Sequence, residues 1–84
     1  MKFPTKGSTI KLEFLRGPKN LGLYSVKDIV ANMLVLTPLE HSGDALYVPD
    51  PSSNPVVYED TETAHVFTIY EEAGPCWKYI LQKQ

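Results

Sequence analysis

Glu40, His41, Ser42 and Asp44 fall within one stretch, "EHSGD". They supply the residue types of a hydrolytic triad: a hydroxyl nucleophile, an imidazole base and carboxylates to orient it. Such triads are assembled from distant segments on a rigid scaffold beside an oxyanion hole, and neighbours in one loop rarely converge. The stretch "LEHSGD" therefore reads as an ordinary loop. His65, the second histidine, lies outside any zinc-binding spacing relative to His41 and is expected on a strand face. Glu59, Asp60, Glu62, Glu71 and Glu72 are hard-cation ligands by type, yet they lack EF-hand spacing, and loop acids of this kind are usually solvated. "RGPKNLG", residues 16–22, offers backbone amides and two cations to an anion without the spacing of a P-loop or a dinucleotide fingerprint. Cys76 follows Pro75 and has no sequence-adjacent base to activate it. The expectation is a protein that is not an enzyme and uses neither a metal nor a cofactor.

The elements that position these residues are mostly strands. "STIKLEFL" alternates, with Ile10, Leu12 and Phe14 on one face and Lys11 and Glu13 on the other, as in a half-buried strand. Residues 16–22 then form an exposed loop with Arg16 and Lys19 at its tip. "YSVKDIVANMLVLTP", residues 24–38, supports two readings. Val26, Ile29, Val30, Met33 and Leu34 fall at helical spacing, with Ser25 and Asp28 as a cap. Against that, "MLVLT" is β-rich, Ala31-Asn32 suits a tight turn, and Pro38 favours extended backbone before it. Beyond it come "ALYV", the Pro-rich excursion "PDPSSNP", "VVYED", and a closing hairpin of "AHVFTIY" and "WKYILQ" turned at Gly74-Pro75. Trp77, Tyr79 and Leu81 share one face of the last strand, Lys78 and Ile80 the other.

Eighty-four residues, 43% hydrophobic and 21% charged, make a single ordinary globular domain over 1–84. The longest apolar run, Met33 to Leu36, is far short of the ~18 residues that span a bilayer, and "MKFPTKGST" lacks a signal-peptide core. Membrane insertion is not expected. A lone cysteine and this start suggest the cytoplasm. The net charge of −2 conceals an asymmetry: residues 1–27 carry six cations against Glu13 alone, whereas Asp28 to Trp77 carry nine acids and no cation. The simplest expectation is that the halves pair within the fold.

The order "KGSTIKLEF", "YSVKDIVANMLVLTP", "SGDALYVP", "AHVFTIYEEAGPCWKYIL" resembles the N-terminal domain of the flagellar brake proteins. These are bacterial cyclic-diguanylate receptors in which a split β-barrel precedes a PilZ domain. The likeness covers residues 6–81 and implies a hairpin, not a helix, for residues 24–37. The chain departs from the pattern in its "DPSSNPVV" insertion at residues 50–57. It also lacks the Arg-x-x-x-Arg and Asp/Asn-x-Ser-x-x-Gly signature of PilZ domains, Arg16 being its only arginine, so nucleotide sensing is not implied.

The fold expected is therefore all-β, a small split barrel of about six mainly antiparallel strands. The alternative is α+β, with one helix at residues 25–36 packed on an antiparallel sheet. A barrel this small fills its interior with side chains and leaves loops and edges for recognition. The function expected is a regulatory protein-interaction module for another protein or an adjacent domain. Two surfaces are candidates: Arg16 with Lys19, and the Pro-rich loop beside Tyr47 and Tyr58. The alternatives are a phage or mobile-element inhibitor of a host enzyme and a single-stranded nucleic-acid-binding barrel, the latter disfavoured by the acidic second half. Unpaired edge strands offer a route to a homodimer.

Overall fold

The computed structural model describes residues 2–83, and no helix occurs among them. Seven strands follow in chain order: β1 Thr9–Phe14, β2 Asn20–Val30, β3 Met33–Pro38, β4 Leu46–Pro49, β5 Val56–Asp60, β6 Ala64–Glu71 and β7 Gly74–Gln82. They form one antiparallel sheet in the order β4-β3-β2-β1-β7-β6-β5. The all-β class holds, with seven strands in place of about six.

Residues 24–38 form a hairpin. Val30 pairs with Met33, and Ala31-Asn32 makes the two-residue turn. Ala31 sits at φ 55°, the left-handed region that a tight hairpin turn demands. The apparent helical spacing has a specific origin. Val26 pairs with Leu36 and Asp28 with Val35, so Lys27 is an extra residue bulged out of β2. The bulge breaks strict alternation and leaves an apolar pattern that imitates a helix face.

The sheet coils around a single core. Its Cα extents are 31 × 29 × 26 Å, whereas a flat sheet would be under ~10 Å deep. Ile10 and Leu12 from β1, Val26 from β2, Leu34 and Leu36 from β3, Val48 from β4, Phe67 and Ile69 from β6, and Tyr79 from β7 pack together, each essentially sealed from solvent. The ring of Phe3, in the N-terminal arm, stacks on Phe67 at 5.7 Å. The arm is held where Gly7 N–H donates to the Val26 carbonyl and Val26 N–H to that of Ser8, each at 2.8 Å.

No ladder joins β4 to β5, so the coil is open along that line. Six successive antiparallel pairings lead from β4 to β5, which gives these two edges the same direction. The six residues 50–55 cross between them. Pro51 is fully buried, Asp50 N–H donates to the Asn32 carbonyl at 2.9 Å, and Asn54 Nδ2 donates to the carbonyls of Asp50 and Asn32. From the far side, the Tyr79 hydroxyl donates to the Pro49 carbonyl at 2.7 Å. This Pro-rich segment is thus a fixed crossing, not only a surface excursion.

Two loop expectations are corrected. β2 begins at Asn20, so the exposed loop after β1 is shorter than 16–22. Gly22 lies inside β2 at φ 96°, where a Cβ would meet Glu40 Oε1 at 2.5 Å. The last hairpin turns at Glu72-Ala73, because Gly74 at φ 118° already pairs with Glu71 and Pro75 with Tyr70. Among the described residues no helix is long and apolar enough to cross a membrane.

Candidate functional site

The two expected surfaces divide residue by residue. Arg16 does not project freely. Its Nε donates to the Pro75 carbonyl at 3.3 Å, Nη2 to the Gly74 carbonyl at 2.9 Å, and Nη1 to Glu71 Oε1 at 3.4 Å. A guanidinium forks readily onto two carbonyls and a carboxylate, so Arg16 ties the β1–β2 loop to the β6–β7 hairpin. Cys76 is buried close to this lid. Burial pushes its thiol pKa up, with Glu71 adding to the shift. Lys19 remains exposed.

Tyr58 and Tyr47 part company in the same way. In β5, Glu59 takes the outward position, so Tyr58 turns inward. Its hydroxyl lies 2.6 Å from His65 Nδ1 and its ring centroid 5.2 Å from that of Phe67. Tyr58 is therefore packed into the body. Beside it, Lys83 Nζ approaches Asp60 Oδ1 at 2.6 Å and holds the Asp60 carboxyl below its ordinary pKa, although burial works the other way. His65 occupies a strand position, as expected. In β4, Leu46 and Val48 face the core side, leaving Tyr47 outward and 65% exposed.

Tyr47 does not stand alone. Asp28, Val35 and Tyr47 form one row across β2, β3 and β4, and Val30, Met33 and Pro49 form the next. These are outward positions of the sheet, and Val30 is 53% exposed. Val35 is buried without belonging to the central core, directly opposite Tyr47. An apolar strip thus lies on the outer face at the β4 edge. Alternation in "ALYV" carried this signal for Tyr47; the Lys27 bulge concealed it for Val30 and Met33.

A second feature lies on the outer face of β1, β2 and β7. Leu23, Lys11 and Ile80 form a row there. Two adjoining cavities of about 290 and 300 Å³ share Lys11 and Leu23 in their walls.

In the "EHSGD" loop the Glu40 and His41 side chains each have partners of their own. Glu40 Oε1 accepts from Leu23 N–H at 2.9 Å, and His41 Nδ1 lies 3.0 Å from the Ser42 carbonyl while its Nε2 faces the Tyr24 hydroxyl at 3.5 Å. Among the described residues no cluster of three or more His, Cys, Asp or Glu side chains is placed to hold a metal.

The charge asymmetry stays largely on the surface. Among the described residues the ion pairs of lysine or arginine with acids are Arg16–Glu71 and Lys83–Asp60. Of the cations in residues 2–27, only Arg16 pairs with a described acid, so the expected internal neutralisation of the two halves is mostly absent.

No family model matches this chain. No curated protein and no solved structure matches it either.

Proposed function

We propose that this domain is a non-enzymatic protein-interaction module that docks through the outer apolar strip centred on Tyr47. The observation that carries the reading is the continuity of Val30, Met33, Val35, Tyr47 and Pro49 over three strands at an unpaired edge. Apolar side chains grouped on an outer face, here with Tyr47 and Val30 exposed and Met33 and Pro49 partly so, are typical of contact sites, and tyrosine is a frequent anchor in them.

The strip, more than the edge itself, supplies the contact. β4 has four residues and ends in Pro49, and β5 carries Glu59 and Asp60. Short edges with proline or charge are poor templates for strand addition. A four-residue edge offers about two ladder hydrogen bonds, each worth ~1 kcal/mol net. Burying the exposed parts of Tyr47 and Val30 contributes ~1–2 kcal/mol each. Side-chain docking therefore outweighs strand pairing, which also makes an edge-to-edge homodimer the lesser option. In the Tyr47 row the next residues are Val35 and, one strand further, Asp28, so no cation stands in that row beside the aromatic, as base stacking next to cations would need.

Kinship with flagellar brake N-terminal domains, and with it a bacterial regulatory role, belongs to this reading. It is supported by the all-β fold and the hairpin at residues 24–38. A cytoplasmic setting accords with the single unpaired, buried Cys76.

Affinity capture from the source organism's lysate tests the proposal with two variants. Tyr47→Ala is expected to remove a stoichiometric partner that wild type and Lys19→Glu both retain, without loss of fold by circular dichroism. Equal capture by Tyr47→Ala would discard the strip.

A further inference from the structure

On a separate face, and resting on the same view of the domain as an interaction module, we propose that the groove over β1 and β2 holds an extended acidic segment of a partner protein. Lys11 lies at its centre, half-buried between Leu23 and Ile80, and lines both adjoining cavities. Lys2 stands at one end of the groove, Asn20 and Glu40 at the other.

Three observations define the occupant. First, Lys11 and Lys2 make no ion pair with a described acid. A lysine ammonium without a counter-ion is free to meet a carboxylate brought to it. The one acid in the lining, Glu40, already accepts the Leu23 amide at 2.9 Å. Second, the floor is apolar where Leu23 and Ile80 flank Lys11, which suits a chain alternating acidic with apolar side chains better than a small free anion. Neither cavity is lined by an aromatic side chain, so base stacking has no platform there. Third, the acidic runs of this chain are committed elsewhere. Glu59-Asp60 belongs to β5, with Asp60 on Lys83, and Glu71-Glu72 belongs to the last hairpin, with Glu71 on Arg16. A second copy could offer only the short edge strand β5, where Tyr58 packs inward and Asp60 is already held by Lys83, so a partner segment is the better occupant. Along β1, Thr9 to Glu13 spans ~13 Å, enough for about four extended residues.

The test is a titration of the isotopically labelled chain with the capped peptide Gly-Glu-Leu-Glu-Leu-Glu-Gly, followed by amide chemical shifts, with the lysine-for-glutamate peptide as control. Shifts are expected at Thr9, Lys11, Leu23 and Ile80, weakening as salt is added, and absent with the control peptide. Lys11→Glu, and separately Lys2→Glu, are expected to weaken binding at least tenfold while the spectrum stays dispersed. No shift at millimolar peptide, equal binding of the lysine peptide, or shifts centred on Tyr47 and Val30 would overturn the proposal. So would concentration-dependent shifts in the groove without peptide, which would mean a second copy. Loss of the groove response leaves the Tyr47 strip untouched, so the two proposals fail separately.

Discussion

Tyr79→Phe removes one oxygen from the middle of the core, and its cost follows from the geometry. Tyr79 is fully buried, and its hydroxyl donates at 2.7 Å to the carbonyl of Pro49, at the end of β4. The lost hydrogen bond is worth ~1 kcal/mol, and a carbonyl left buried without a donor raises the penalty toward ~2 kcal/mol. For a domain of this size each kcal/mol shifts Tm by about 4–8 °C, so a fall of roughly 4–15 °C is expected by calorimetry. Amide exchange should quicken first at Asp50 and Ser53, whose N–H groups hold the crossing segment. The same side chain sets an alkaline limit. Burial pushes the Tyr79 pKa far above the ordinary tyrosine value. The folded state therefore keeps a proton that the unfolded state releases above pH ~10, and stability is lost as pH rises past that point, by up to ~1.4 kcal/mol per pH unit. The variant should start less stable at neutral pH and decline less steeply above pH ~10. A Tm within a degree of wild type, with unchanged exchange at Asp50 and Ser53, would refute the view that this hydroxyl fastens the open line of the coil.

Other expectations concern the surface ties and the turn. Cys76, buried with a raised thiol pKa, should react with iodoacetamide far more slowly than a free thiol; Arg16→Ala should speed that reaction by loosening the lid, and an unchanged rate would contradict it. Asp60 is held low chiefly by its hydrogen bond with Lys83. Its contribution is therefore present above the ordinary carboxylate range and disappears as pH falls through the lowered value. Lys83→Met should flatten the acid limb of Tm against pH, and a parallel displacement of the whole curve would argue otherwise. Ala31→Gly relieves the left-handed strain, ~1–2 kcal/mol, against an entropic cost of ~0.5–1 kcal/mol. Denaturant unfolding should show it neutral to about 1.5 kcal/mol more stable, while Ala31→Val is destabilising.

How far the fold could be read in advance depended on alternation. From Ile10 to Phe14 the period of two is unbroken, and in "AHVFTIY" and "WKYILQ" the density of β-branched and aromatic residues marks strands, so β1, β6 and β7 lie close to the expected positions. Residues 24–38 were ambiguous because the Lys27 bulge shifts the phase, so Val26 faces inward while Asp28 faces out. The candidate site shows the same division. Tyr47 and Tyr58 have similar apolar neighbours, but Leu46 and Val48 mark Tyr47 as outward, whereas Glu59 marks Tyr58 as inward. Arg16 was legible as a cation. Its partners at Gly74 and Pro75 lie nearly sixty residues away in the chain, a pairing that no local pattern carries. The groove at Lys11 was hidden for a related reason: Leu23 and Ile80 meet it only through the strand order.

Photo-crosslinking from a benzophenone side chain placed at position 47, in the source cell, tests the central claim most directly. The same side chain at position 70, also an exposed tyrosine, is the control. A discrete adduct from position 47 and none from position 70 is the expected result. Adducts of equal yield from both positions, or none from position 47, would contradict docking through the outer strip.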